Sequence, residues 1–334
     1  MKVLGINGGN GIIIHPLKRY LIGNVEARPV FKTRKDVQWE MNFDNIPLVT
    51  DLEDVVNTFS SADVIVGAPN CGHSSMLAYS RAKQLSDPLK DPSFELYMVS
   101  LNYYKPKVFM MENLPKTLDM IPREVWEKSF PDYELIFHVG SVSRWGNSQL
   151  TRIRLVLIGL KREAFGKNLK EAQYHFNNVY RVNELKTSGE LIKNCGIASG
   201  HYRENINDTI TLYAGYKDSL RNIRNFWINN PKLKRYPVYD RKFSTAPGVY
   251  RNLKDGYPAT ARKANRQFSH KGLQMSPREL ARIQGVPDLF EIYIDTNELT
   301  YWINKGRTTV TKCPPYEIGL WFKKQLIKAK ALWK

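Results

Sequence analysis

Three stretches of the chain place a reactive side chain where a strand gives way to a loop. In SADVIVGAPNCGHSS, residues 61–75, an apolar run ends in Gly-Ala-Pro and delivers Cys71 onto a loop of small polar residues. A short apolar run followed by Gly, Pro and Ser reads as a buried sheet strand whose end is open to a ligand. A thiol ahead of a helix N-terminus favours thiolate and can act as a nucleophile, the other common fate of a free thiol being structural burial. In FMMENLPKTL a strand ends in Glu112 and Asn113. An acid at such a strand end is a candidate general acid or orienting group, or else a cap or salt-bridge partner. In NSQLTRIRLVLIG a spacing of two puts Arg152 and Arg154 on one strand face, where two guanidinium groups can hold a carbonyl oxygen or a phosphate.

Two other stretches could receive a small molecule. VLGINGGNG runs a strand into a loop carrying Gly5, Gly8, Gly9 and Gly11, which lets a ligand approach the backbone closely. The spacing is not GxGxxG and no Lys-Ser/Thr follows, which disfavours a dinucleotide or a nucleoside triphosphate. Glu26, in GNVEARP, ends the second strand-like run, the position that faces the ligand crevice of an open α/β sheet and can take a ribose diol. Asp51, in LVTDLEDV, has the same two readings as Glu26, ligand contact or surface acid.

The elements that must position these residues are legible as alternation. KVLGI, LIGNVEA, ADVIVGA, KPKVFMME, YELIFHV and RIRLVLIGL are strand-like runs separated by helical or turn-rich stretches. That pattern predicts an α/β fold with a mostly parallel sheet covered on both faces. Three domains are expected: 1–160 as the α/β domain, 161–275 as a smaller irregular domain, and 276–334 as a segment returning to the first. In the last, Ser276, Pro277 and Glu279 read as a capping box opening a helix, and YEIGLWFKKQLIKAKALWK carries helical periodicity.

Charge supports the second boundary. The chain has 50 Lys+Arg against 32 Asp+Glu, a formal charge of +18. Residues 161–275 hold 22 of the basic and 9 of the acidic residues, a surplus of 13. Concentration of positive charge in one region favours a polyanionic partner such as nucleic acid. Three cysteines without CxxC spacing indicate neither a disulfide framework nor a zinc site. No apolar run approaches a membrane span, and Asn and Gly interrupt the N-terminal stretch where a leader peptide needs an apolar core, so a cytoplasmic setting is expected.

The order of these features resembles the cytosine-5 DNA methyltransferase family, bacterial or phage type: glycine loop, two acids, Pro-x-Cys loop, Glu-Asn strand end, Arg-x-Arg strand, basic insert, then SPRELARIQGVPD. The resemblance implies a Rossmann-like S-adenosylmethionine-dependent methyltransferase sheet with a smaller irregular target-recognition domain in the basic region. It implies Cys71 as nucleophile and Glu112 as the acid on the cytosine ring nitrogen. Arg152 and Arg154 would support the cysteine loop and hold the base carbonyl. The S-adenosylmethionine pocket would be lined by Gly5, Ile6, Asn7, Gly8, Gly9, Glu26, Ala27, Asp51, Leu52, Pro69, Thr311 and Lys312. Ser75, Arg241, Lys242, Arg262, Lys263 and Arg278 would contact nucleic acid, double-stranded DNA being the expected partner, RNA the alternative, and a monomer the expected state.

The sequence departs from the family pattern at several places. Asn70 and Gly72 flank Cys71 where Pro and Gln are usual, Leu4 and Ile6 replace Phe and Gly, and Gln149 stands one residue far from Arg152. TTVTKCPPYEIG replaces a Gly-Asn segment, so that Thr311 or Lys312 stands for the Asn. A cation there could pair with a carboxylated S-adenosylmethionine, giving carboxymethylcytosine as an alternative product. A catalytically inactive DNA-binding homologue is the remaining alternative.

Overall fold

The computed structural model describes residues 1–27, 32–50, 55, 57–70, 88–146, 152–179, 191, 235–236, 250–251, 277–292, 310 and 313–334. Seven strands form one sheet: β1 (Val3–Ile6), β2 (Leu21–Val25), β3 (Leu48–Val49), β4 (Val64–Gly67), β5 (Val108–Asn113), β6 (Tyr133–Ser141) and β7 (Ile153–Lys161). Their order is β3-β2-β1-β4-β5-β7-β6. The first five pair in parallel, while β7 runs antiparallel to both β5 and β6. All six apolar runs are strands in a mostly parallel α/β sheet. The two-residue β3 is too short to register as a run, and apolar periodicity carries no information on the direction of β7.

Period two distributes the strand residues over two cores. Val64 and Val66 of β4 face the same side as Val108 and Met110 of β5 and Val156 and Ile158 of β7. Ile65, Phe109, Met111, Leu155 and Leu157 face the other. Each side chain removed from water in this way contributes about 1.5–3 kcal/mol, which is what holds strands of only four residues such as β1 and β4 in register.

Helices cover both faces. On the second face lies α2 (Pro92–Tyr104), whose start follows from its sequence: Asp91 is the N-cap, its side chain accepting from Ser93 N, and Pro92 occupies the first turn where no N–H is needed. Phe94, Tyr97 and Leu101, spaced three and four apart, are its buried stripe. On the first face α4 (Leu169–Asn177) buries Ala172 and Phe176, and α6 (Tyr316–Lys330) buries Ile318, Trp321, Phe322 and Leu326. Three further helices are α1 (Lys32–Phe43), α3 (Arg123–Ser129) and α5 (Pro277–Ile283).

The chain divides into two compact units, Met1–Trp145 with Ile153–Arg181 and Pro314–Lys334, and Gly146–Arg152 with Val182–Cys313. The first unit therefore runs past the expected boundary at 160, because α4 buries Phe176 in the sheet core. Residues 276–313 go with the second unit and only the last segment with the first. In the second unit, β8 (Arg235–Tyr236) pairs antiparallel with β9 (Tyr250–Arg251). Pro277 opens α5 as expected, whereas Ser276 and the side chain of Glu279 lie outside the described residues. Among the described residues no helix is long and apolar enough to cross a membrane, and no group of His, Cys, Asp and Glu could hold a metal ion.

Two contacts under α6 make testable statements. A Cβ on Gly319 would stand 1.9 Å from the backbone oxygen of Ile13. Alanine is the better helix former by about 1 kcal/mol, yet Gly319→Ala should lower Tm by several degrees in a thermal melt, because the atom it meets is backbone that cannot swing away; a raised Tm would contradict that packing. His15 lies between Phe43 and Tyr316, with ring centroids 5.7 and 6.1 Å away. Burial, then Lys18 and Lys323, lower its pKa to about 4. Between the ordinary value of 6.5 and about 4 the unfolded chain takes up a proton that the folded protein refuses, so stability falls as pH falls through this window. In urea melts at pH 7 and pH 4.5, His15→Phe should lose less stability on acidification than the wild type.

Candidate active site

The parallel strands β1, β2, β4 and β5 end on the same edge of the sheet, and the order reverses between β1 and β4, where an open α/β sheet binds its ligand. Of the polar residues named from the sequence, Asn7, Glu26 and Glu112 lie at these strand ends, while Arg152 and Arg278 belong to the second unit.

The glycine loop follows β1. Its turn is made by Asn7 at φ 53, Gly9 at φ 62 and Gly11 at φ 81, all left-handed. Asn7 is held in this conformation by two long-range bonds of its amide: Oδ1 accepts from Ala27 N at 3.0 Å and Nδ2 donates to the Ser93 carbonyl at 2.8 Å. Gly8 N donates to Asn24 Oδ1 at 3.2 Å, and a Cβ on Gly5 would stand 2.5 Å from that same oxygen. Around Gly9, by contrast, an added Cβ would meet nothing within 4 Å. Glu26, one residue past β2 and 5% exposed, accepts from Gly9 N at 2.7 Å and from Asn24 Nδ2 at 2.9 Å. The structure thus brings Gly5, Ile6, Asn7, Gly8, Gly9, Glu26 and Ala27 together as a glycine turn with open space at Gly9 and a buried acceptor-only carboxylate beneath it. A carboxylate acceptor beside open space fits a ligand whose hydroxyls can donate to it, as the ribose of S-adenosylmethionine does.

The second cluster joins β4, β5 and α2. Glu112 on β5 and Arg154 on β7 are diagonal neighbours on one sheet face, since Glu112 stands opposite Val156. Arg154 Nε lies 2.8 Å from Glu112 Oε1, with side-chain exposures of 16% and 7%. The carboxylate is thereby paired and aimed from the strand end. Asn113, on the opposite face, donates from Nδ2 to the Pro69 carbonyl at 3.1 Å and accepts from Leu114 N at 2.8 Å. Asn70 N donates to Ser93 Oγ at 2.7 Å. The segment that enters the Cys71 loop is therefore tied to both β5 and α2.

The two arginines read as a pair do different work. β7 begins at Ile153, so Arg152 precedes the strand rather than sharing its face with Arg154. Arg152 is 1% exposed and donates to the Gln284 side chain and, at 2.5 Å, to the Cys313 carbonyl. A guanidinium spent in this way braces the chain around Gln284 and Cys313. Gln284 in turn donates to the Val310 carbonyl. Arg278, expected to contact nucleic acid, is corrected: it is fully buried and donates to the Pro287 carbonyl at 3.0 Å and the Phe290 carbonyl at 2.5 Å. The fork of an arginine suits two carbonyls of a turn as well as it suits phosphates.

Cys71, Ser75, Asp51, Leu52, Arg241, Lys242, Arg262, Lys263, Thr311 and Lys312 lie outside the described residues. Asn113, Ser93 and Gln284 were not singled out as site residues. Gln284 stands within SPRELARIQGVPD, and DPSFE carries the capping signal that places Ser93 at the start of α2.

The Glu112–Arg154 pair gives a test. Removing one partner of a buried pair leaves a desolvated charge, so Arg154→Met should cost about 3 kcal/mol in chemical denaturation. The double variant Arg154→Met/Glu112→Gln should recover part of that loss, and simple additivity would show that the pair is uncoupled.

Comparison with known proteins bears on the same geometry. The chain matches the sequence profile of C-5 cytosine-specific DNA methylase over residues 21–304. No curated protein sequence matches it. Among solved structures it is similar to a protein described as a DNA modification methyltransferase encoded within an E. coli prophage, with TM-score 0.65, 16% identity and 99% of each chain covered. It is also similar to the S. pombe Dnmt2 methyltransferase, with TM-score 0.61, 12% identity and 99% of each chain covered. The Entamoeba histolytica methyltransferase EhMeth gives TM-score 0.62 and 13% identity, covering 99% of this chain and 98% of that one. These likenesses are of fold, and the profile spans most of the sequence: the chain belongs to the C-5 cytosine-specific DNA methylase family.

Proposed function

We propose that this protein is an S-adenosylmethionine-dependent DNA cytosine-5 methyltransferase that flips a cytosine out of duplex DNA and modifies C5 through a covalent Cys71–C6 adduct. One observation carries the reading: the end of β5 presents Glu112, oriented by Arg154, while the next residue, Asn113, holds the carbonyl of Pro69 two residues before Cys71. Acid and nucleophile-bearing segment are thus fastened to one strand end.

Cytosine C5 is a poor nucleophile. Addition of the Cys71 thiolate at C6 makes the ring enamine-like, and Glu112 hydrogen-bonds N3 as electron density moves there. S-adenosylmethionine supplies an electrophilic methyl group when bound. Gly5, Ile6, Asn7, Gly8, Gly9, Glu26 and Ala27 would hold it, with Asp51, Leu52, Pro69, Thr311 and Lys312 completing the pocket. Loss of the C5 proton and expulsion of the thiolate restore the ring. Because C6 is inaccessible in a stacked duplex, the base must leave the helix, and the basic region of residues 161–275 supplies the charge to hold the phosphates. Arg152 supports this from the backbone it braces, and the setting is the cytoplasm of a bacterial or phage-infected cell.

The test is mass spectrometry of nucleosides from DNA and RNA of cells expressing the wild type or Cys71→Ala. The expected result is 5-methylcytosine in DNA that disappears with Cys71→Ala and falls by about a hundredfold or more in rate with Glu112→Gln. A Cys71-dependent carboxymethylcytosine would move the donor to carboxy-S-adenosylmethionine, and modification confined to transfer RNA would move the substrate to RNA. Unmodified DNA and RNA in both samples would overturn the enzyme reading in favour of an inactive DNA-binding homologue.

A further inference from the structure

The peptide unit between Pro69 and Asn70 is held at both ends. Its carbonyl accepts from Asn113 Nδ2 at 3.1 Å and its N–H donates to Ser93 Oγ at 2.7 Å. A peptide is planar, so fixing both of its polar atoms fixes the plane in which the chain reaches Asn70, the residue before Cys71. The polarity at Ser93 is set by its partners. A carboxylate only accepts, so the Ser93 hydroxyl donates to Asp91 Oδ1; a backbone N–H only donates, so the same oxygen accepts from Asn70. The position needs one atom that is donor and acceptor at once. Ser93 is also bonded to the glycine loop, its carbonyl accepting from Asn7 Nδ2 at 2.8 Å. Asn7 in turn accepts from Ala27 N, beside Glu26. Ser93, Asn7, Asp91 and Asn113 are all under 9% exposed, so water does not compete freely for these bonds.

We infer that Ser93 is a positioning residue that couples the glycine loop to the segment bearing Cys71, so that a ligand bound at the glycine loop alters the reactivity of the thiol. The inference rests on the methyltransferase reading. It gives a reason for a serine two residues into α2 that capping does not supply, because Asp91 already caps Ser93 N.

The test measures Cys71 alkylation by iodoacetamide, followed by peptide mass mapping to separate it from Cys195 and Cys313, with and without saturating S-adenosylhomocysteine. Threonine and valine have the same shape and differ in the hydroxyl, so Ser93→Thr and Ser93→Val isolate the bond. In the wild type and Ser93→Thr, ligand should change the alkylation rate by about fivefold to thirtyfold, the size of one buried hydrogen bond to a fixed partner. In Ser93→Val the change should shrink to within about twofold while calorimetric affinity for S-adenosylhomocysteine stays within about threefold, consistent with loss of coupling rather than loss of the site. Should valine not fold, Ser93→Ala makes the same comparison. A wild-type response in the hydroxyl-free variant, or no response in a wild type that binds the ligand, overturns the inference. A wild type that does not bind S-adenosylhomocysteine overturns the methyltransferase reading beneath it.

Discussion

The inner strands β1, β4 and β5 of the central sheet have no face open to water. Val64, Val66, Val108 and Met110 pack on one side and Ile65, Phe109 and Met111 on the other, all fully buried. A polar side chain in such a sheet is tolerated only where the strand ends, so parallel strands collect their polar residues along one edge. Glu26, Glu112 and Asn113 are the result. Each lies in the last two residues of a strand or follows one, and each is buried and bonded to protein. The same burial that stabilises the sheet thereby concentrates its chemistry.

The polar groups at that edge cost stability as well as conferring order. Glu112 and Arg154 give up most of their hydration, which their mutual attraction offsets only when the geometry is fixed. The bonds of Asn7, Ser93 and Asn113 supply such fixing, since each joins two elements distant in sequence and none is part of the strand ladder. In this site, rigidity comes from side-chain-to-backbone bonds, provided by the amides of Asn7, Asn24 and Asn113, the Ser93 hydroxyl and the carboxylates of Glu26 and Asp91.

How far the sequence discloses this arrangement depends on the range of the interaction. Strand positions were legible because apolar alternation is local, and so was the start of α5 at Pro277. Glu26 and Glu112 were legible because a carboxylate at the end of an apolar run is locally anomalous. Arg152 misled because a spacing of two implies a shared face only inside a strand, and the strand begins one residue later. The resemblance placed Arg278 on nucleic acid, whereas it is buried and donates to carbonyls 9 and 12 residues on. The bonding roles of Asn113 and Ser93 are not legible because their partners lie 44 and 23 residues away, beyond any local pattern. The placement of α4 is non-local for a related reason: only its burial of Ala172 and Phe176 in the sheet core joins it to the first unit.

The first unit is also discontinuous in sequence. Its face of Val3, Val64, Val156 and Ile158 belongs to a core completed by Ile318, Trp321, Phe322 and Leu326, which the ribosome adds only after the whole of 182–313. Throughout synthesis of the second unit the nascent sheet therefore carries an uncovered aromatic-binding flank, the kind of surface that chaperones hold and that aggregation exploits. Vectorial translation imposes a waiting period on this fold: the tight seat of Gly319 on Ile13 joins residues on either side of the second unit, so this core closes only once 182–313 have been made.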